Sequence, residues 1–138
     1  YKTLDADDII ITTGGSEAVL FAFMSCLNPG DEIIVPEPAY ANYMAFAISA
    51  GAIIRTVTTT IEEGFSLPKV EMFEELINER TKGILICNPN NPTGYLYTRR
   101  EIESDFAIWL RSTIYSCSLM KFIANLFIQV LHIFQHVI

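Results

Sequence analysis

Residues 83–94, with the sequence GILICNPNNPTG, join an apolar run to a loop that contains three asparagines and two prolines. The run 83–87 is apolar enough to predict a strand inside a sheet. The loop 88–94 cannot continue a helix or a central strand, because its prolines lack N–H donors and restrict the residues before them. Open α/β sheets place ligands at the carboxyl ends of their strands, so this loop is a candidate binding site. A plain proline-rich loop is the alternative interpretation.

Outward from this stretch, short apolar runs alternate with helical stretches between residues 8 and 100. The alternation predicts the α/β class, with a mostly parallel sheet flanked by helices. The predicted strands cover residues 9–12, 32–35, 52–57 and 83–87, and the predicted helices cover residues 17–27, 40–49 and 70–78. Thr98 and Glu101 have the spacing of a capping box, which predicts that another helix begins there.

The segment 12–18, TTGGSEA, lies at a predicted strand-to-helix junction. Free backbone N–H groups and the positive end of the helix dipole make such a junction an anion site. Gly15 allows a close approach of the backbone, and the Ser16 hydroxyl can cap the helix or donate to a phosphate oxygen. An ordinary turn followed by an N-cap is the alternative. The sequence contains neither GxGxxG nor GxxxxGK[ST], so the pattern does not indicate a dinucleotide or a nucleoside triphosphate.

Charge and cysteine content exclude other classes of partner. Nine Lys and Arg against sixteen Asp and Glu give a net charge of −7, which disfavours nucleic acid and anionic lipid. Cys26, Cys87 and Cys117 are far apart and form no CxxC, so neither a disulfide framework nor a metal site is predicted. We interpret them as buried thiols of a cytoplasmic protein.

Residues 104–138 depart from the α/β pattern, and we predict a divergent apolar tail that is helical. Residues 122–138 contain no Asp, Glu, Lys or Arg. These seventeen residues approach the roughly 20 that span a bilayer. Polar side chains interrupt the run, which disfavours a membrane helix; they are Asn125, Gln129, His132, Gln135 and His136.

Three motifs occur in order along the chain: GGS at 14–16, PAYANY at 38–43 and NPTG at 91–94. In this order and spacing they resemble the large domain of class I/II aminotransferases, which are fold-type-I pyridoxal-phosphate-dependent enzymes. The aspartate-aminotransferase-like subgroup is the most similar. The resemblance covers residues 4–103 and includes the turn NPGD at 28–31.

The resemblance implies a division of the chain and a local geometry. Residues 1–103 would be a partial cofactor-binding large domain, whereas residues 104–138 are not family-like. The peptide bonds before Pro38 and Pro92 are candidates for the cis form. A read-through or frameshifted origin of the tail is a hypothesis that the genomic sequence would test.

The resemblance also implies the cofactor contacts. Gly15 and Ser16 would hold the phosphate of pyridoxal 5′-phosphate, with Glu17 at the same helix start. Tyr40 would stack on the pyridine ring, and Asn91 would donate a hydrogen bond to the ring's phenolic oxygen. As an alternative for Tyr40, an aromatic residue followed by others at helical spacing belongs to a core.

Two catalytic elements that the resemblance implies do not appear in this sequence. They are the lysine that forms a Schiff base with the cofactor and the Asp-Glu-x-Tyr segment whose acid faces the pyridinium nitrogen. Lys121 is the nearest candidate, but the spacing within its motif is wrong and it follows Asn91 by only thirty residues. We therefore predict no catalytic residue here and no turnover by this chain alone.

The function that the resemblance implies is amino-group transfer between an amino acid and a 2-oxo acid. A pyridoxal-phosphate-dependent C–S lyase of the same family would share all three motifs and remains an alternative. A non-catalytic, truncated α/β protein whose apolar tail contacts a membrane or a partner is the second alternative. Full-length members of the family are expected to be homodimers.

Overall fold

A computed structural model describes residues 5–102, 117–123 and 127–133, and within these ranges the chain forms a five-stranded sheet. Strands β1 (Glu32–Glu37), β2 (Ile53–Thr58) and β3 (Thr81–Cys87) are parallel, and β1 lies between the other two. Strands β4 (Cys117–Ile123) and β5 (Phe127–Ile133) pair antiparallel, and β5 also pairs antiparallel with β3. The order across the sheet is β2-β1-β3-β5-β4.

Helices cover both faces of the three parallel strands, which confirms the predicted α/β class. Helices α1 (Gly15–Cys26) and α2 (Asn42–Ser49) pack on one face, and the short helix α3 (Val70–Glu74) packs on the other. Alternate residues of β1 point to opposite faces. Ile33 therefore belongs to the core beneath α1 and α2, and Ile34 belongs to the core beneath α3. Burial on both faces explains the apolar runs 33–35 in β1 and 84–87 in β3, whereas the edge strand β2 is mostly exposed and more polar.

Helix α1 runs antiparallel to β1 and therefore begins at the carboxyl edge of the sheet. The chain leaves α1 at Cys26 and enters β1 at Glu32 through a tight turn, in which the Asn28 N–H donates to Asp31 Oδ2 at 2.8 Å. The twelve residues of α1 and the six residues of β1 have similar lengths of about 18 and ~20 Å. The first turn of α1 consequently lies level with the end of β1.

The prediction of a strand at residues 9–12 is wrong. These residues lie outside regular structure, and Ile10 and Ile11 are 77% and 92% exposed. The run has the β-branched composition of a strand, but a strand also needs a neighbour for its backbone hydrogen bonds. No strand in the described part of the chain pairs with it.

The helical prediction for the tail is also wrong where the structure describes it, because β4 and β5 are strands. Their β-branched and aromatic residues suit a sheet, and β3 offers β5 a row of backbone donors and acceptors at its edge. Residues 104–116, 124–126 and 134–138 lie outside the described ranges. No helix within those ranges is long and apolar enough to cross a membrane.

Candidate functional site

Three segments of the predicted site meet the carboxyl edge of the parallel strands. They are the first turn of α1, the β1–α2 connection at residues 38–41, and the loop 88–94 after β3. The last two are joined directly, because the Asn90 amide donates to the Pro38 carbonyl oxygen at 3.0 Å. The peptide bonds before Pro38 and Pro92 are cis, as predicted, and so is the bond before Pro89.

The first turn of α1 leaves its backbone donors free. Gly14 is the N-cap residue, and no side chain caps the helix start. The Gly14 carbonyl accepts the first helical hydrogen bond, from Ala18 N–H at 3.1 Å, whereas the N–H groups before it have no helical acceptor. Ser16 is exposed, and its hydroxyl has no hydrogen-bond partner within the described ranges. The turn therefore presents several donors to one anion.

Glu17 turns back onto the segment that precedes the helix. Its Oε2 accepts from the Thr13 N–H at 2.7 Å and from the Thr13 hydroxyl at 3.1 Å. A carboxylate repels phosphate, so this geometry assigns Glu17 to shaping the turn, a role that differs from direct contact with a cofactor phosphate. A second bond, from the Thr12 hydroxyl to the Gly14 carbonyl oxygen at 3.0 Å, stiffens the same segment.

Substituting Glu17 tests this bracing role. We expect Glu17→Ala to lower the free energy of unfolding by about 1 kcal/mol, since two hydrogen bonds to one carboxylate oxygen are lost. Glu17→Gln keeps an acceptor oxygen at the same place and should lose about half as much. Urea denaturation followed by circular dichroism measures both values. Equal losses in the two variants would contradict the bracing role of the acceptor oxygen.

The sequence left open whether Tyr40 is a core aromatic or a platform for a cofactor ring, and its environment differs from that of Tyr43. Tyr43 is only 3% exposed and belongs to the core between α2 and the sheet, whereas Tyr40 is half-buried at its rim. The two rings meet edge to face with centroids 5.5 Å apart. The Tyr40 hydroxyl accepts from the Asn42 amide at 2.7 Å, which fixes the outer end of the side chain. Tyr43 is the core aromatic, and Tyr40 stays at the surface of the site.

The three asparagines of loop 88–94 have three different environments. Asn88 Oδ1 accepts from the Tyr97 N–H at 2.9 Å, which ties the loop to the segment that follows it. Asn90 bonds inward to Pro38. Asn91 is exposed, and its side-chain amide has no partner within the described ranges. Asn91 is thus the member of the set whose amide is available to a ligand.

A narrow crevice lies beneath this edge and is mostly apolar. Its lining residues are Val35, Pro36, Ala39, Tyr43, Leu85, Cys87, Asn90 and Tyr97. Burial, followed by the hydrogen bond with the Cys87 thiol, raises the pKa of Tyr43 well above its ordinary value. Burial also raises the pKa of Tyr97 to about 12. Both phenols therefore stay neutral at physiological pH.

Beyond the loop, Glu101 holds several backbone segments together. Its carboxylate accepts from the Thr98 N–H and hydroxyl, both at 2.7 Å, from the Leu67 N–H at 3.2 Å, and from the Tyr95 hydroxyl at 3.1 Å. The Glu101 N–H donates to the Thr98 hydroxyl at 3.2 Å, which completes the predicted capping box. Burial opposes ionisation of Glu101, but the bonds from Thr98 outweigh it and lower the pKa.

Comparison with known proteins decides the family. The family model for aminotransferases of class I and II matches residues 1–115. The chain belongs to this aminotransferase family. The match continues beyond residue 103, so the family pattern includes part of the segment that the sequence assigned to a divergent tail.

Individual relatives give the extent of the similarity. The chain is 42% identical over 97 residues to a putative aminotransferase of Bacillus subtilis, which covers 70% of this chain and 25% of the relative. It is 39% identical over 102 residues to an aspartate aminotransferase of Thermotoga maritima, covering 74% and 27% respectively. A solved aspartate aminotransferase mutant of Thermus thermophilus superposes with a TM-score of 0.69 at 38% identity, covering 75% of this chain and 26% of that one. The chain spans about a quarter of the length of these aminotransferases.

Two of the described lysines of this aminotransferase chain, Lys82 and Lys121, lie away from the end of β3 that carries Asn91. Lys82 is the second residue of β3, at the opposite end of the strand, and its Nζ donates to the Glu79 carbonyl oxygen at 3.0 Å. Lys69 is exposed before α3, and Lys121 lies in β4, which β5 separates from β3. Within the described ranges no group of three or more His, Cys, Asp or Glu could hold a metal ion, and Cys26 and Cys87 are free.

Proposed function

We propose that this chain supplies part of the cofactor site of a pyridoxal-phosphate-dependent aminotransferase. The whole protein would transfer an amino group between an amino acid and a 2-oxo acid. The observation that carries the proposal is the environment of Asn91, whose unpartnered amide stands at the carboxyl edge of the sheet beside Tyr40's loop. Gly15, Ser16, Tyr40 and Asn91 would contact the cofactor, and Glu17 would brace the turn that holds its phosphate.

The first turn of α1 fits a phosphate ester. Its free N–H groups and the helix dipole favour a dianion, and the Ser16 hydroxyl adds a side-chain donor. Gly15 has no side chain to obstruct the approach of the phosphate oxygens to the backbone. These features act on the phosphate alone and would hold one end of the cofactor.

Tyr40 and Asn91 fit the ring at the other end. The half-buried Tyr40 offers a flat apolar face, and the Asn91 amide offers a donor for a ring oxygen. When bound, pyridoxal phosphate withdraws electrons from the α-carbon of the substrate, which lowers the cost of removing its proton. The residues of this chain would orient the ring for that chemistry, whereas the described residues show no group placed to move the proton.

Binding of pyridoxamine 5′-phosphate, the amine form of the cofactor, tests this proposal. This ligand has no aldehyde, so it does not react with surface lysines. We expect Asn91→Ala to weaken binding about tenfold, because one hydrogen bond to the cofactor is lost. Stability should not change, because Asn91 is exposed and its amide has no partner within the described ranges. Fluorescence titration measures the affinity.

Asn28→Ala is the matched control. Asn28 is exposed like Asn91, but it lies in the turn between α1 and β1 at the opposite edge of the sheet. Its substitution should leave the affinity unchanged. A wild-type chain that does not bind pyridoxamine 5′-phosphate, or equal affinities in all three proteins, would contradict the proposed site.

The remaining parts of the proposal rest on family membership. We propose an aspartate-aminotransferase-like enzyme, homodimeric at full length and cytoplasmic, with an amino acid and a 2-oxo acid as its substrates. Several relatives are named aspartate aminotransferase, which favours this subgroup. The positions of Lys82 and Lys121 support a second candidate, a cofactor-binding chain that does not turn over by itself.

A further inference from the structure

Asn90 joins the two loops that carry the residues proposed to contact the cofactor ring. We propose that Asn90 is a positioning residue that sets the spacing between Tyr40 and Asn91, an inference that rests on the proposed function. One amide proton of Asn90 is donated to the Pro38 carbonyl oxygen at 3.0 Å, and the other polar contact of the same nitrogen is the Thr93 hydroxyl at 2.8 Å. Both donors of the amide group are therefore used.

The loop that carries Asn91 is rigid by its own bonds. The Asn90 N–H donates to the Tyr95 carbonyl oxygen at 2.8 Å, and the Gly94 N–H donates to the Asn90 carbonyl oxygen at 2.8 Å. The Thr93 hydroxyl also accepts from the Tyr95 N–H at 3.2 Å. Gly94 has a φ of 75°, a left-handed conformation that glycine adopts at no steric cost and that closes the turn. Asn91 is consequently fixed relative to Asn90.

The bond to Pro38 transmits this rigidity to the neighbouring loop. Pro38 precedes Tyr40 by two residues, and Tyr40 is fixed further along by Asn42. The Asn90–Pro38 hydrogen bond thus joins the backbone segment that carries Tyr40 to the one that carries Asn91. Asn88 does not make this link, because its side-chain nitrogen donates to the Tyr97 carbonyl oxygen at 3.5 Å and its side-chain oxygen accepts from the Tyr97 N–H at 2.9 Å.

This arrangement makes a specific prediction about which part of a ligand Asn90 affects. Ring contacts come from Tyr40 and Asn91, whose relative position depends on Asn90. Phosphate contacts come from the first turn of α1, whose bonds to Thr13 and Gly14 do not involve Asn90. Loss of the Asn90 amide should therefore weaken binding of the ring and spare binding of the phosphate.

The test compares pyridoxamine 5′-phosphate with inorganic phosphate as ligands of the full 138-residue chain. Asn90→Asp keeps the shape of the side chain but removes both donors, and Asn90→Ala removes them without adding a charge. We expect each variant to bind pyridoxamine 5′-phosphate about tenfold more weakly, as for the loss of one or two buried hydrogen bonds. Affinity for inorganic phosphate, followed by ³¹P NMR titration, should stay within about twofold of wild type, because the bonds that shape the first turn of α1 do not involve Asn90.

The outcomes separate this inference from the proposed function. Wild-type binding of pyridoxamine 5′-phosphate with unchanged affinity in both variants would overturn the positioning role and leave the proposed site intact. Equal losses for both ligands would also overturn it, since they would indicate a general structural effect. A wild-type chain that binds inorganic phosphate but gains nothing from the pyridine ring would overturn both proposals.

Discussion

Glu32→Ala is expected to lower the free energy of unfolding by about 3 kcal/mol, because it removes a fully buried carboxylate that accepts charge-assisted hydrogen bonds. The Glu32 side chain is 0% exposed, at the amino end of β1. Arg55 binds it with two nitrogens, Nε at 3.0 Å and Nη2 at 3.1 Å. Asn78 Nδ2 and Arg80 Nε add contacts of 2.9 and 3.0 Å. These bonds connect β1 to β2 and to the turn before β3.

The pH dependence of stability provides a separate readout of the same group. The hydrogen bond from Arg55, followed by that from Asn78, lowers the pKa of Glu32 from 4.5 to about 2. A carboxylate with a depressed pKa contributes stability that is complete above its unfolded pKa and is lost as the pH falls towards its folded pKa. The difference between wild type and Glu32→Ala should therefore be complete above about pH 5 and shrink steadily between there and about pH 2.

Urea denaturation across this pH range measures the effect, and Glu32→Gln is the matched control. Glutamine keeps the shape and one acceptor but has no charge, so its loss should be smaller at neutral pH and nearly independent of pH. Because Glu32 lies at the opposite edge from Asn91, neither variant should change affinity for pyridoxamine 5′-phosphate at temperatures where the chain is folded. A stability difference that stays constant from neutral to acid pH would show that the carboxylate is not the source of the effect.

The parallel part of the fold could be predicted because its strands carry strong local signals. The runs of β1 and β3 are buried on both faces, so their composition is apolar without interruption. Turn residues mark their ends, and the predicted helices begin within two residues of the observed α1 and α2. The position of Asn91 followed from the same logic, since it lies in the loop after a predicted strand, whereas the prediction for Ser16 assumed a strand at residues 9–12 that does not form.

Other features depend on partners that a single stretch of sequence does not reveal. Residues 9–12 have the composition of a strand but lack a pairing neighbour among the described strands, whereas β5 pairs with β3 and β4 pairs with β5. The predicted helix 70–78 ends early, at Glu74, and Asn78 instead donates hydrogen bonds to Glu32 and to Thr81 in the turn before β3. Asn90 could not be distinguished from Asn91 by type or spacing, since its role depends on Pro38, 52 residues earlier in the chain.

Lysines that react covalently with the cofactor can be identified by reduction and peptide mapping. When pyridoxal phosphate is added and the mixture is reduced with borohydride, we expect neither Lys82 nor Lys121 to become fully labelled. Lys82 lies five residues before the end of β3, about 16 Å from the loop that holds Asn91. Lys121 pairs with Gln129, which pairs with Ile86, so it stands two strands away from β3, roughly 10 Å across the sheet. Each distance exceeds the length of a lysine side chain.

Peptide mapping after reduction separates specific capture from random labelling. Random labelling should be spread over several lysines in proportion to their exposure, and Asn91→Ala should leave it unchanged. Specific capture would concentrate on one residue and would fall in that variant, because Asn91 would hold the ring in place. Full labelling of Lys121 that depends on Asn91 would contradict our assignment and would make β4 part of a catalytic site. Scattered labelling together with Asn91-dependent binding of pyridoxamine 5′-phosphate would mean that this chain binds the cofactor and that its reactive lysine must come from elsewhere.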